Sequence, residues 1–333
     1  MFFDDIKGQE NAINVLKRAL QSGRLPTAYL FTGPAGCGRM AAAISAAASF
    51  NCETAPVACG SCMSCRLHHA GTHPDLTILK PEEGKRWIVI EQARNLIEKA
   101  YLMPMQGKVS TFIIDDAHSM YPNAANAFLK TLEEPPGTSR FILIAPDRNA
   151  VLPTISSRCQ NLVFRPLSRE SMEELLGQVG IDPDRAALLA AMARGSMERA
   201  LDYHHEEIIE KLADEFAPLL NPGKTDSNQL LDLAGGWARK RADALKVLEF
   251  MAQWYRDMLI IAEGGPEEQV IHTAHMDALR TGASHLGGYR LSMVLETIED
   301  TRDDLEHNTN IGLSLDNLLF KIRKFGEMTE ITT

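Results

Sequence analysis

The chain has no apolar run that reaches the ~18 residues needed to cross a bilayer, which excludes a helical membrane span. Its first residues, Met1-Phe2-Phe3-Asp4-Asp5, turn acidic at once and lack the cationic segment and apolar stretch of a secretory leader, so a cytosolic location is expected. There is no internal repeat and no low-complexity tract. With 45% hydrophobic and 23% charged residues, a disordered or collagen-like chain is excluded as well. Positive charge is in short supply: 34 Lys and Arg face 44 Asp and Glu, a formal net charge of −10, which argues against a general nucleic-acid coat. Cysteines number only six. Cytosolic thiols stay reduced, so these six read as metal ligands or free thiols rather than as a disulfide frame.

What is present is enough chain for two or three domains, since 333 residues stand against ~150 for a typical one. Residues 1–165 carry 17 Lys and Arg against 14 Asp and Glu, a net of +3, and residues 166–333 carry 17 against 30, a net of −13. Any contact with DNA is therefore expected on the first half, because phosphate attraction follows local positive charge. That half alternates short apolar runs with helical stretches, the pattern of an α/β fold with a parallel sheet. Five strands are expected at 28–32, 75–79, 111–115, 140–145 and 161–164, each short and apolar, as strands buried on both faces should be. Helices are expected at 9–22, where Ile13, Leu16 and Leu20 share a face, and at 40–49. Beyond Pro166 only helical periodicity is found, at 170–179, 183–193, 197–213 and in longer stretches to the end. Asn221-Pro222-Gly223 reads as a linker.

Gly33-Pro34-Ala35-Gly36-Cys37-Gly38-Arg39-Met40 lies between the first strand and a helix, where backbone N–H groups can cradle phosphate oxygens. The Gly-x4-Gly spacing fits a phosphate loop, but Arg39 stands where the loop lysine belongs and Met40 where a hydroxyl would hold magnesium. A thioether does not ligate a hard cation that prefers oxygen. Hydrolysis at this loop is not expected, and the bland alternative is a turn without a ligand. Phe112-Ile113-Ile114-Asp115-Asp116 is an apolar strand ending in two acids, which either serve a second phosphate-site motif or cap the next helix.

Cys52, Cys59, Cys62 and Cys65 have the spacing C-x6-C-x2-C-x2-C, which suits a tetrahedral zinc site in which turns present successive sulfurs to one ion. His68 and His69 follow closely and could replace one sulfur; four sulfurs are the expected ligand set, with both histidines on the helix beyond. A closed shell of this kind is structural. Cys37 and Cys159 stand outside the spacing.

With these residues in view, the chain resembles the delta-prime family of bacterial DNA polymerase III clamp-loader subunits, which are AAA+ proteins related to the gamma/tau subunits. The resemblance runs nearly the full length. It is most specific at Asn123-Ala124-Ala125-Asn126-Ala127-Phe128-Leu129-Lys130-Thr131-Leu132-Glu133-Glu134-Pro135-Pro136 and at Leu152-Pro153-Thr154-Ile155-Ser156-Ser157-Arg158-Cys159-Gln160. Ile6-Lys7-Gly8-Gln9-Glu10 and Arg24-Leu25-Pro26-Thr27-Ala28-Tyr29-Leu30-Phe31 also resemble the family, although Thr27 sits where histidine is common. Gly195-Ser196-Met197-Glu198-Arg199-Ala200 looks like the lid motif, and 308–319 like the closing collar helix.

The resemblance implies a RecA-like AAA+ domain over 1–165 with a zinc module inserted at about 50–70, a helical lid over 166–215 and an all-α collar over 216–333. It also implies a role in placing a sliding clamp on primed DNA, with gamma/tau and delta subunits as direct partners, the clamp and DNA met through the complex, and no membrane. Arg158, flanked by Ser157 and Cys159, matches the family's arginine finger, which acts on a neighbour's ATP. The candidate nucleotide contacts of the degraded loop are Gly33, Gly36, Gly38 and Arg39, and the cofactor implied is structural zinc on Cys52, Cys59, Cys62 and Cys65. An active gamma/tau-type ATPase is the competing reading, against which Arg39 and Met40 weigh. A zinc-dependent DNA-binding module and an unrelated AAA+ adaptor are the others.

Overall fold

A computed structural model describes residues 2–82, 85–205, 208–307 and 309–328. The chain forms two compact units, Met1–Ala200 and Leu201–Thr333. The first holds a sheet of five parallel strands, β1 Ala28–Thr32, β2 Leu76–Leu79, β3 Ser110–Ile114, β4 Ser139–Ala145 and β5 Gln160–Val163, in the order β2-β3-β4-β1-β5. Around the sheet run α1 Glu10–Ser22, α2 Arg39–Phe50, α3 Met63–His69, α4 Ile90–Ala100, α5 Pro122–Glu133 and the single turn α6 Pro153–Ser156. Three further helices follow, α7 Arg169–Gln178, α8 Pro183–Met192 and α9, which starts at Met197 and ends at His205.

The two-residue alternation of β4 divides the core. Phe141 and Leu143 point to one face, where Phe128 and Leu132 of α5 and Leu96 of α4 cover them, while Ile142 and Ile144 point to the other, against Ile13 and Leu16 of α1 and the alanines of α2. Phe141 stacks on Phe112 at 5.4 Å and meets Phe128 edge-on at 5.2 Å, contacts worth about 0.5–1.5 kcal/mol each beyond area burial. Ala42, Ala43 and Ala46 are fully buried, so α2 lies close on the sheet, and bulkier residues there would push it away.

Because every strand runs the same way, the carboxyl ends of β1, β3 and β4 open at one edge of the sheet. Gly33, Asp115 and Pro146 follow those ends directly. In open α/β sheets this is the edge where ligands bind. α7 is capped by the Ser168 hydroxyl, which accepts from the Ser171 N–H, and α8 by Asp182, which accepts from the N–H groups of Asp184 and Arg185.

The second unit is helical: α10 Ile208–Glu215, α11 Ser227–Trp237, α12 Arg241–Ala262, α13 Met276–Glu306 and α14 Ile311–Glu327. Phe216, Phe250 and Trp254 stack in its core. Buried Asp257 accepts from the N–H groups of Ile271 and His272 and from His272 Nδ1, fixing the connection between α12 and α13. The stretch expected as one helix at 197–213 is described as α9 and α10, with 206–207 outside the described residues. Asn308, the first residue of the stretch likened to a collar helix, lies outside them too. Asn221-Pro222-Gly223 is not a free linker. Pro222 is buried in a short 3-10 turn, and a Cβ on Gly223 would come within 2.8 Å of the backbone of Gly326 in α14. Among the described residues no helix is long and apolar enough to cross a membrane.

Candidate functional site

The glycine loop joins β1 to α2, as its sequence position requires. Gly33, Gly36 and Gly38 all have positive φ, at 149°, 68° and 102°. Two of them also lie where a side chain has no room. A Cβ on Gly33 would come within 2.3 Å of the Phe164 carbonyl oxygen, and one on Gly36 within 2.4 Å of the Glu198 nitrogen. The Gly36 carbonyl accepts from the Met197 N–H at 3.2 Å, so the start of α9 is hydrogen-bonded to the loop.

Arg39 is 9% exposed, and its Nη1 donates to the Ala145 carbonyl at 2.5 Å, across to the end of β4. That carbonyl also accepts from the Gly33 N–H. The guanidinium thus ties α2 to β4 instead of standing free over the loop. Met40 is partly buried and packs against the core cluster that α1 and α2 share with the sheet. Cys37 is buried, and burial pushes its thiol pKa up.

Asp115 follows β3. Burial, and after it the neighbouring Asp116 carboxylate, push its pKa up, while the nearby Arg39 charge pulls it down. Asp116 has φ 53°, and its side chain makes no capping bond to the 3-10 turn that follows. Asp115 Oδ1 accepts from the Asp116 N–H at 3.2 Å. Neither acid caps the next helix. Both border a cleft of about 860 Å³ shared with Lys80, Lys85, Arg86 and His118.

Arg158 follows α6. It lies at the surface, with its side chain 34% exposed. Nη1 donates to the Thr154 carbonyl at 2.7 Å, and Nη2 pairs with Glu133 Oε1 at the end of α5. Ser157 Oγ donates to the same Thr154 carbonyl at 3.2 Å. Cys159 turns inward against the core, and burial pushes its thiol to about 12. The trio is thus an inward cysteine and a turn-closing serine around an outward arginine. Glu133 as its partner was not visible in the sequence, because the two residues lie 25 positions apart on different elements.

The four cysteines of the C-x6-C-x2-C-x2-C spacing do come together: the Sγ atoms of Cys52, Cys59, Cys62 and Cys65 lie within 4.8 Å of one another. Cys52 and Cys65 are buried, Cys62 is half-buried and Cys59 is exposed. Local donors point at the sulfurs. The Cys62 N–H donates to Cys59 Sγ and the Cys65 N–H to Cys62 Sγ, both at 3.4 Å, and Ser61 Oγ donates to Cys59 Sγ at 3.6 Å. Hydrogen bonds from the Thr54 hydroxyl, the Cys62 N–H and Ser61 lower the Cys59 thiol to about 5, whereas burial raises Cys65 to about 12. Four sulfurs in this grouping can hold a metal ion whose charge offsets that burial. His68 and His69 lie on α3, as expected, and neither belongs to the sulfur group.

Residues 8–168 match the family described as DNA polymerase III, delta subunit. Subunit delta-prime of Bacillus subtilis is 27% identical over 95% of this chain and 96% of its own length. Subunit delta-prime of Pseudomonas aeruginosa is 38% identical over 56% of this chain and 58% of its own. The chain is related to the delta-prime and gamma/tau subunits of DNA polymerase III. Subunit tau of Escherichia coli is 34% identical over 62% of this chain, and the match spans only 33% of that longer protein. The glycine loop, Asp115, the cysteine group and Arg158 all fall within the family match at 8–168.

Proposed function

We propose that this chain is a clamp-loader subunit of DNA polymerase III that does not hydrolyse ATP itself and lends Arg158 to the nucleotide site of a neighbouring gamma/tau-type subunit. The observation that carries this reading is the use made of the loop's two altered positions. Arg39 donates into the Ala145 carbonyl, and Met40, partly buried against the core, offers only a thioether, so neither residue supplies the ammonium or hydroxyl that a metal-bound triphosphate uses. Arg158 is placed in the opposite way, at the surface and held by an exposed carboxylate, the Thr154 carbonyl and the neighbouring Ser157 hydroxyl.

A guanidinium set against a γ-phosphate stabilises charge spreading over its oxygens in the transition state, an effect worth ~10³–10⁵ in rate. It serves a site only from outside that site's own loop. In this reading residues 1–165 form the rigid ATPase-like face, 166–215 the lid and 216–333 the collar that joins the gamma/tau and delta subunits. Cys52, Cys59, Cys62 and Cys65 hold a structural zinc, which would supply cross-linking and no chemistry.

The test is a loader reconstituted from this chain with gamma/tau-type and delta subunits, assayed for ATP turnover on primed DNA with its clamp. Arg158→Ala is expected to assemble normally and to slow the one site it serves by ~10³ or more, seen as a fractional loss of total turnover. Unchanged turnover removes the finger. Hydrolysis by the purified chain alone would instead support an active gamma/tau-type ATPase.

A further inference from the structure

The sequence between Asn51 and Asp75 contains the whole cysteine group, and those two flanking residues grip the same distant segment. Asp75 is 5% exposed. Its Oδ1 accepts from the Met105 N–H at 2.6 Å, and its Oδ2 from Gln106 at 2.9 Å and Gly107 at 2.6 Å. Asn51 is 4% exposed, and its Oδ1 accepts from the N–H groups of Lys108 at 2.8 Å and Val109 at 2.9 Å. Five consecutive backbone donors, 105 to 109, therefore end on two buried side chains. A Cβ on Gly107 would meet the Asn51 amide at 2.5 Å, so the segment is also pressed against it.

Both grips lead back to the cysteines. Asn51 immediately precedes Cys52. From Asp75 the path runs through two buried rings. The Asp75 N–H can only donate, so His73 Nδ1, 3.2 Å away, accepts. His73 Nε2 then carries the proton and donates to Ser64 Oγ at 3.2 Å. Ser64 sits on α3 beside Cys65, and its N–H is held by Glu53 Oε1. The Ser64 carbonyl accepts from His68 Nδ1 at 2.9 Å, and the His68 ring lies over that of His73 with centroids 3.8 Å apart. His68 Nε2, fully buried, has no hydrogen-bond partner among the described residues.

Tyr101, Leu102 and Met103, just before the gripped segment, and Met105, its first residue, stand out from the surface, 57, 64, 76 and 84% exposed. These are among the most exposed large apolar side chains described.

We infer that the cysteine module is a brace: metal held by Cys52, Cys59, Cys62 and Cys65 fixes α3, and through Ser64, His73 and Asp75 on one side and Asn51 on the other it sets the conformation of the segment 105–109 and of the exposed apolar loop before it. The links from Ser64 through His73 to Asp75 are buried hydrogen bonds of 3.2 Å, so loosening α3 removes one of the supports of Asp75, the other being the bond from the Thr111 N–H to its carbonyl. Without that orientation three backbone donors lose one shared carboxylate. The inference rests on the reading of the four cysteines as a metal site.

The test is hydrogen–deuterium exchange on the full chain, zinc-loaded and chelated, with bound zinc measured in every sample. Chelation is expected to raise exchange at 63–69 and at 105–109 together, by tenfold or more, while β1 and β4 stay protected. Asp75→Asn and Ser64→Ala, both retaining one zinc, should raise exchange at 105–107 without loosening the cysteine group. Chelation that frees 63–69 and leaves 105–109 protected overturns the brace. If chelation exposes β1 and β4 as well, zinc-bound Ser64→Ala decides, and unchanged exchange at 105–107 overturns the inference. A chain that binds no zinc defeats the metal reading itself, a result distinct from zinc bound without coupling.

Discussion

At the scale of the single residue, what matters is how firmly each charged or titratable group is committed inside its own chain. The pair between Arg158 and Glu133 is exposed, and such pairs contribute ~0–1 kcal/mol, enough to orient a guanidinium and too little to lock it. Glu133→Gln should therefore leave the melting transition of the first unit within about 2–4 °C of the parent, measured by calorimetry, and Arg158→Ala should do the same. A larger fall for Arg158→Ala means that the arginine is a structural group. His68 behaves differently. Burial lowers its pKa from 6.5 to about 4, so between those values the unfolded chain takes up a proton that the folded chain refuses. Its contribution to stability is complete above about pH 6.5 and declines as the pH falls toward 4. His68→Phe is expected to flatten the stability profile in that window, read as the difference between parent and variant by denaturant titration at each pH. Parallel profiles would contradict the assignment.

At the scale of the element, the strands were legible because parallel strands buried on both faces leave continuous apolar runs. β1 was placed at its observed bounds, and the other four within one residue at each end. Asn221-Pro222-Gly223 misled because a Pro-Gly pair announces a turn whether or not the turn is packed, and packing against α14 depends on residues a hundred positions away. Likewise the cysteine spacing announced the sulfur group, but nothing local announced that Asn51 and Asp75 would converge on one segment. The altered loop could be read as lacking a lysine and a hydroxyl, but not as gaining a tie between α2 and β4. That tie makes a prediction. Arg39→Ala deletes a hydrogen bond from a buried charged donor to a carbonyl that keeps its Gly33 partner, at a cost of about 1–3 kcal/mol. Gly36→Ala should cost at least as much, since it adds a Cβ against the Glu198 backbone and places alanine at φ 68°. Urea denaturation midpoints of both variants check this, and a neutral Gly36→Ala would show that the start of α9 does not hold the loop.

At the scale of the whole molecule, stability is divided as the cores are divided. The first unit depends on a sheet whose two apolar faces are covered by helices, and in addition on four sulfurs that close a small module with few large apolar residues of its own. The second depends on stacked aromatics and buried leucines along its helices, with no cysteine at all. Separate cores of this size give no reason for a single cooperative transition. On the proposal that the four cysteines hold zinc, a chelator should then lower the transition of the first unit alone, because a metal bound there is linked only to the folding of the residues around it. Phe141→Ala, deleting a fully buried ring that two other phenylalanines contact, should destabilise that same transition by about 3–5 kcal/mol. Trp254→Ala should destabilise the other by a similar amount and leave the chelator response unchanged. Scanning calorimetry of the full chain with these two variants, each with and without chelator, distinguishes the cases. One transition that moves as a whole in all four samples would mean that the two cores fold as a single cooperative body.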